Sequence, residues 1–100
     1  STCKLNTMKA IWNNTIIAES NDTVVVENNH YFPPEAIHKV YFKKTDTHSH
    51  CPWKGDASYY TIEVDGKSNE DAAWYYPETS HAAKPIEGYI AFWKGIKNIA

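Results

Sequence analysis

The stretch from Thr45 to Asp56 gathers the side chains best equipped for chemistry: Asp46, His48, His50, Cys51, Trp53 and Lys54. Cys51 supplies a thiol whose thiolate is nucleophilic, and a neighbouring imidazolium or ammonium lowers the pKa of such a thiol. His50 and Lys54 are close in sequence, so Cys51 is a candidate catalytic nucleophile. The competing reading is a small buried hydrophobe, a common place for a free cysteine. His48, His50 and Cys51 are also metal-ligand types, and His-x-His puts both rings on one face of a strand. His30, His38 or His81 would complete a set. The paired Cys-x-x-Cys spacing of structural zinc is absent, so no metal is assigned and the question stays open. Lys54-Gly55 suits an anion contact, the amine giving charge and the glycine letting a backbone N–H approach closely. Glu35, directly after Pro34, is the second catalytic candidate, a general base if aromatic rings enclose it. Left in water, it is a favourable charge at a helix start.

Aromatic residues make up 14% of the chain, with seven Tyr, four Trp and three Phe. Large rings can complete the core of a small domain or line a pocket. Tyr59-Tyr60 and Trp74-Tyr75-Tyr76 contain sequence neighbours, and neighbours on a strand point to opposite faces. These rings therefore cannot all share one core. One face should be core, leaving rings on the other for a groove, a pocket or a subunit contact. The ligand-binding candidates are Trp53, Lys54, Tyr59, Tyr75, Tyr76 and His50.

The elements that must position these groups read as mostly β. Lys9–Trp12, Thr15–Glu19 and Thr23–Glu27 read as strands. Asn13-Asn14, Ser20-Asn21-Asp22 and Asn28-Asn29 read as turns, because Asn tolerates positive φ. Together they suggest a three-stranded meander running on to His30-Tyr31-Phe32. Ile37, Val40 and Tyr41 share a helical face after Pro34-Glu35, which predicts a short helix near Pro34–Phe42, with a strand over His38–Phe42 as the competitor. Thr45–Asp56 reads as a polar loop. Ala57–Val64 is a strand, Asp65-Gly66 a hairpin turn, and Lys67–Asn69 with Ala72–Tyr76 the return. Ser80–Lys84 reads as a brief turn or helix and Ile86–Trp93 as the final strand. The fold class is mainly β (β-rich α+β), either a curled antiparallel sheet or a two-sheet sandwich.

A length of 100 residues fits one domain. The expected organisation is a flexible leader over 1–7 and a single β-rich domain over 8–100. With 42% hydrophobic and 22% charged residues the chain is of ordinary globular composition. A net charge of −2 gives no basic stripe for nucleic acid, and no polybasic cluster points to a membrane. No apolar run has the length of a signal or a span. A cytoplasmic location follows as the expectation, in which a Cys3–Cys51 disulfide would not persist. Asn13-Asn14-Thr15 and Asn21-Asp22-Thr23 match the glycosylation sequon but are read as turns.

Five motifs occur in order: His30-Tyr31-Phe32-Pro33, His50-Cys51-Pro52-Trp53-Lys54-Gly55, Ala57-Ser58-Tyr59-Tyr60, Ala72-Ala73-Trp74-Tyr75-Tyr76-Pro77 and Gly88-Tyr89-Ile90-Ala91-Phe92-Trp93. Together they resemble the bacterial domain of unknown function numbered 427, from about Met8 to Gly95. The resemblance implies a compact β-rich domain, alone or in tandem. Some members carry a nucleotidyltransferase label. This chain has neither a Gly-Ser pair followed by Asp-x-Asp, which would hold Mg²⁺, nor a Gly-rich phosphate loop. Asn13-Asn14 stands where relatives are expected to have Asn-Gly, a matter of turn strain.

The functional expectation is a small-molecule pocket, aromatic-walled, formed around His50–Gly55, with no cofactor assigned and catalysis left open. The alternatives are a protein-interaction module or homodimer using an exposed aromatic face, and an enzyme with a Cys51 nucleophile.

Overall fold

The computed structural model describes residues 7–100. Most of the leader expected over 1–7, and Cys3 with it, lies outside the described residues. Nine strands follow in chain order: β1 (Met8–Trp12), β2 (Thr15–Ser20), β3 (Val24–Val26), β4 (Asn29–Tyr31), β5 (Phe42–Cys51), β6 (Gly55–Val64), β7 (Lys67–Tyr75), β8 (Ile90–Phe92) and β9 (Lys97–Ile99). They form three antiparallel sheets, ordered β2-β1-β9, β3-β4 and β5-β6-β7-β8. The fold is mainly β, and no helix among the described residues is long and apolar enough to cross a membrane.

Three two-residue turns close β1–β2, β3–β4 and β6–β7, at Asn13-Asn14, Glu27-Asn28 and Asp65-Gly66. Both central residues have positive φ in each case, the geometry whose twist matches that of paired strands. The second turn falls one residue earlier than Asn28-Asn29, placing a glutamate at φ 53°.

The expected meander is divided. β2 does not pair with β3, because Ser20 Oγ accepts from the Asp22 N–H at 2.8 Å and leads the chain away. The free side of β2 meets Ile37 instead, through an Ala18–Ile37 bridge and a 2.9 Å bond from the His38 N–H to the Ile17 carbonyl. The helix expected near Pro34–Phe42 takes the form of two single 3-10 turns, Pro34–Ala36 and Lys39–Tyr41. Ile37 and His38 between them are extended, since bonding to β2 removes them from any continuous helix.

Thr45–Asp56 is not a loop. It forms the facing ends of β5 and β6, joined by the short turn Pro52-Trp53-Lys54. β5 is an edge strand exposed along nearly its whole length, so it lacks the apolar alternation that marks a half-buried strand. A register shift between Lys44 and His48 is held by Asp71, whose carboxylate accepts from Thr45 Oγ1 at 2.9 Å and Thr47 Oγ1 at 2.8 Å. The final strand is shorter than Ile86–Trp93, because a 3-10 segment occupies His81–Ile86 and only Ile90–Phe92 pairs with β7.

Alternation along β6, β7 and β8 sends side chains into two separate clusters. Ile62, Ala73, Ile90 and Phe92 meet Ala10, Ile17 and Ala18 of the first sheet, with Tyr60, Tyr75 and Phe42 at the margin. Ala57, Tyr76 and Ala91 meet Tyr31 of β4 and Ala83 and Ile86 of the 3-10 segment, with Tyr59, Trp74 and Cys51 at the margin. Both faces of the large sheet therefore carry core, where one face was expected to. The rings divide as alternation requires: Tyr60 stacks on Tyr75 at 4.8 Å on one side, and Tyr31 meets Trp74 edge-to-face at 6.2 Å on the other.

Candidate functional site

Lys54 is the one charged side chain among the described residues that is buried, at 5% exposure. Its place is set by the turn that carries it. Gly55 has φ +124°, and a Cβ there would lie 2.8 Å from the Glu78 carbonyl oxygen. Glycine is thus required both by conformation and by the approach of the 77–80 segment. That segment clasps the turn: the Ser80 N–H donates to the Lys54 carbonyl at 3.2 Å, and Ser80 Oγ donates to the Trp53 carbonyl.

The Lys54 ammonium lies under aromatic rings, 5.5 Å from the Trp53 centroid and 5.4 Å from that of Tyr76, within cation–π range. It donates to Glu27 Oε1 at 2.5 Å. The other oxygen of the same carboxylate accepts from Trp53 Nε1 at 3.4 Å. Burial alone would lower the pKa of Lys54, but the Glu27 bond and the nearby Tyr31 and Tyr76 hydroxyls outweigh it, so the net shift is upward. Glu27 moves downward, chiefly through its bond from Lys54. Burial raises the Tyr76 hydroxyl, partly offset by Lys54. The lysine is therefore a fixed cation at neutral pH and not a general base.

Lys54, Tyr59, Trp74, Tyr76 and Trp93 line a hollow of about 200 Å³. Two of its indole N–H groups are already committed, Trp74 Nε1 to the Tyr31 hydroxyl at 3.2 Å and Trp93 Nε1 to the Asp71 carbonyl at 2.6 Å. The hollow thus offers ring surface, the Tyr76 hydroxyl and the part of the Lys54 ammonium that Glu27 does not take. Tyr59 reaches Ser49 Oγ at 2.8 Å through its hydroxyl.

The other candidates lie elsewhere. His50 is on the opposite face of the β5–β6 pair, where Nδ1 is 2.7 Å from Asp56 Oδ1, in an open groove of about 900 Å³ shared with His48, Ser58, Pro77 and Glu78. Tyr75 and Glu35 border a third hollow of about 460 Å³ with Tyr60 and Lys39. Glu35 is thus apart from Cys51 and from the aromatic hollow. Trp53 is 41% exposed and edges the Lys54 site by way of Glu27. Cys51 is half-buried beside Tyr76 and Tyr59 in the second cluster. Among the described residues no side chain is hydrogen-bonded to its thiol, since His50 points away and Lys54 is turned to Glu27. His48, His50 and Cys51 do not form one ligand set, and among the described residues no group of three His, Cys, Asp or Glu side chains is placed to hold a metal ion.

A family model described as Domain of unknown function (DUF427), labelled NTP_transf_9, matches residues 4–99. The chain belongs to the DUF427 family. No curated protein matches it. Of the five ordered motifs, the one holding Lys54-Gly55 and the two holding Tyr59 and Trp74 with Tyr76 supply four of the five residues around the hollow of this DUF427 domain, and the last supplies Trp93. Sequence reasoning missed Glu27, which lies 27 positions from Lys54. As the end of a β-branched run it carries no local sign of pairing. Trp74 and Trp93 were legible as aromatics, but their commitment to this hollow follows from strand pairing alone.

Proposed function

We propose that this domain binds a small ring-bearing organic molecule in the hollow above Lys54, the ring packing on Trp74, Trp93 and Tyr59 and a carboxylate or carbonyl oxygen of the ligand accepting from the ammonium. The observation that carries the reading is a lysine held charged and almost fully buried beneath an aromatic wall that opens to solvent. Such a cation keeps donors for an acceptor in a setting of low dielectric, where each bond counts for more than in water. The volume suits a one- or two-ring compound, since pockets for drug-sized ligands start at about 300 Å³. Nothing in the arrangement of the hollow supplies a nucleophile, so binding and not turnover is the reading.

Titration with benzoate and with neutral indole, followed by tryptophan fluorescence and by NMR shifts, tests it. Benzoate is expected to shift Trp74, Trp93 and Tyr59 resonances, and K54M to weaken benzoate more than indole. No shift at these residues at millimolar probe, or equal loss of both probes in K54M, overturns it. A protein-contact reading rests on Trp53 and Trp93, 41% and 47% exposed. Self-association that rises with concentration and is lost in a W53A/W93A variant would favour it.

A further inference from the structure

Four of the side chains lining the open groove on the far side of the β5–β6 pair stand in two matched rows, with Pro77 and Glu78 beside them. His48 faces Ser58 and His50 faces Asp56 in the strand register. His50 Nδ1 is 2.7 Å from Asp56 Oδ1, and His48 Nδ1 is 3.3 Å from Ser58 Oγ. Each imidazole is therefore held at Nδ1, and neither Nε2 has a hydrogen-bond partner among the described residues. In a neutral ring, a carboxylate accepting from Nδ1–H fixes the tautomer in which Nε2 carries a lone pair. Ser58 can accept from His48 in the same way, because its hydroxyl turns freely. The two rings sit on one strand face about 6.8 Å apart at the backbone, two residues at the usual rise.

We propose that His48 and His50 are a two-imidazole site for a divalent transition metal, with Asp56 and Ser58 as positioning residues that orient the rings and are not themselves ligands. An outer carboxylate on a ligating histidine is the recurrent arrangement around such ions and raises ligand basicity. Imidazole ligands select Cu²⁺, Ni²⁺ or Zn²⁺ over Mg²⁺ or Ca²⁺, which prefer oxygen. Glu78 lines the groove but is not placed with the two rings as a third ligand, so the remaining coordination positions fall to water or to an external ligand. Because Asp56 is spent on His50, the site has two ligands, consistent with the absence of a three-ligand group among the described residues.

The test is calorimetric titration of the full chain with NiCl₂, paired with NMR line broadening by Ni²⁺. His48 and His50 are exposed, so their truncation leaves the fold in place, as circular dichroism would verify. One Ni²⁺ per chain is expected at this groove, broadening the resonances of both rings. H48A and H50A should each weaken it at least about tenfold, and D56N about 10- to 100-fold, the range for outer-shell changes. Cu²⁺ should bind more tightly than Ni²⁺. Unchanged Ni²⁺ uptake in H48A/H50A, broadening centred elsewhere, or no uptake at millimolar metal overturns the proposal. A D56N variant that binds as well as the parent removes the positioning role.

Discussion

The ammonium of Lys54 and the carboxylate of Glu27 meet at 2.5 Å, joining the β5–β6 turn to the tip of the β3–β4 hairpin. The buried partner gives up water while its counter-ion keeps it. Removing the lysine frees a carboxylate that solvent can take up, whereas removing the glutamate strands a buried cation. K54M, which keeps most of the stem, is expected to lower unfolding free energy by about 1.5–3 kcal/mol, the range for hydrogen bonds to charged groups. E27A should be the more damaging of the two by urea denaturation at neutral pH.

The same pair sets a pH window. Glu27 titrates below its ordinary value of 4.5, so its contribution is complete above that value and is lost as pH falls through the lowered pKa. Lys54 titrates above its ordinary 10.5, so its contribution is complete below that value and is lost as pH rises through the raised pKa. Stability should be flat with respect to this pair from roughly pH 5 to 10. Urea midpoints followed down to pH 3 should fall less steeply in E27Q than in the parent; equal slopes would mean the pair is not formed in solution.

Gly55 is the second lever. G55A brings a Cβ to 2.8 Å from the Glu78 carbonyl oxygen at a φ of +124°. A cost of about 1–3 kcal/mol is expected. The 77–80 segment should loosen with it, read as faster hydrogen exchange of the Ser80 amide, which donates to the Lys54 carbonyl. G66A has nothing within 4 Å of the added atom and should cost less by thermal melting.

Tyr31 is fully buried, and its hydroxyl accepts from Trp74 Nε1 at 3.2 Å. W74F and Y31F should each cost about 0.5–1.5 kcal/mol beyond any change in packing. The double variant should cost less than the sum, since each single change leaves the other group unpaired. Additive losses would show that the bond contributes nothing.

Cys51 and His50 are adjacent in sequence but face opposite sides of the strand. In a C3S background, alkylation of Cys51 by iodoacetamide should be slower in the folded than in the unfolded chain, and H50A should leave the folded rate unchanged. A large fall in that rate on H50A would mean the imidazole assists the thiol.

The turns were largely legible in the sequence because left-handed backbone is chemically selective: Asn13-Asn14 and Asp65-Gly66 announce themselves. Glu27 at φ 53° does not, because nothing local asks a glutamate for that conformation. Its partner, fixed only in the folded chain, gives it its purpose. The aromatic rows were legible as a division between two faces, since a period of two needs no tertiary knowledge. Which rings would gather round Lys54 was not, because Trp74 reaches Tyr59 through strand pairing, with Tyr59 directly opposite. The β5 edge was hidden for another reason: a strand wet on nearly every residue has the composition of a loop. His48 and Ser58 become a pair only once that edge is recognised as a strand.

The large sheet carries apolar cover on both sides. If either cover lifts alone, the backbone of β6 and β7 remains shielded by the other. Their shared amides should therefore exchange with solvent only when the whole domain opens. β9 pairs with β1 alone, so it can detach locally and its amides should exchange sooner, whereas the β3–β4 ribbon is tied to β8 by the two bonds between Phe32 and Ile90. The molecule thus has a slow-exchanging centre and a releasable edge at β9, and the aromatic hollow is built on the centre, through Tyr59 of β6 and Trp74 of β7.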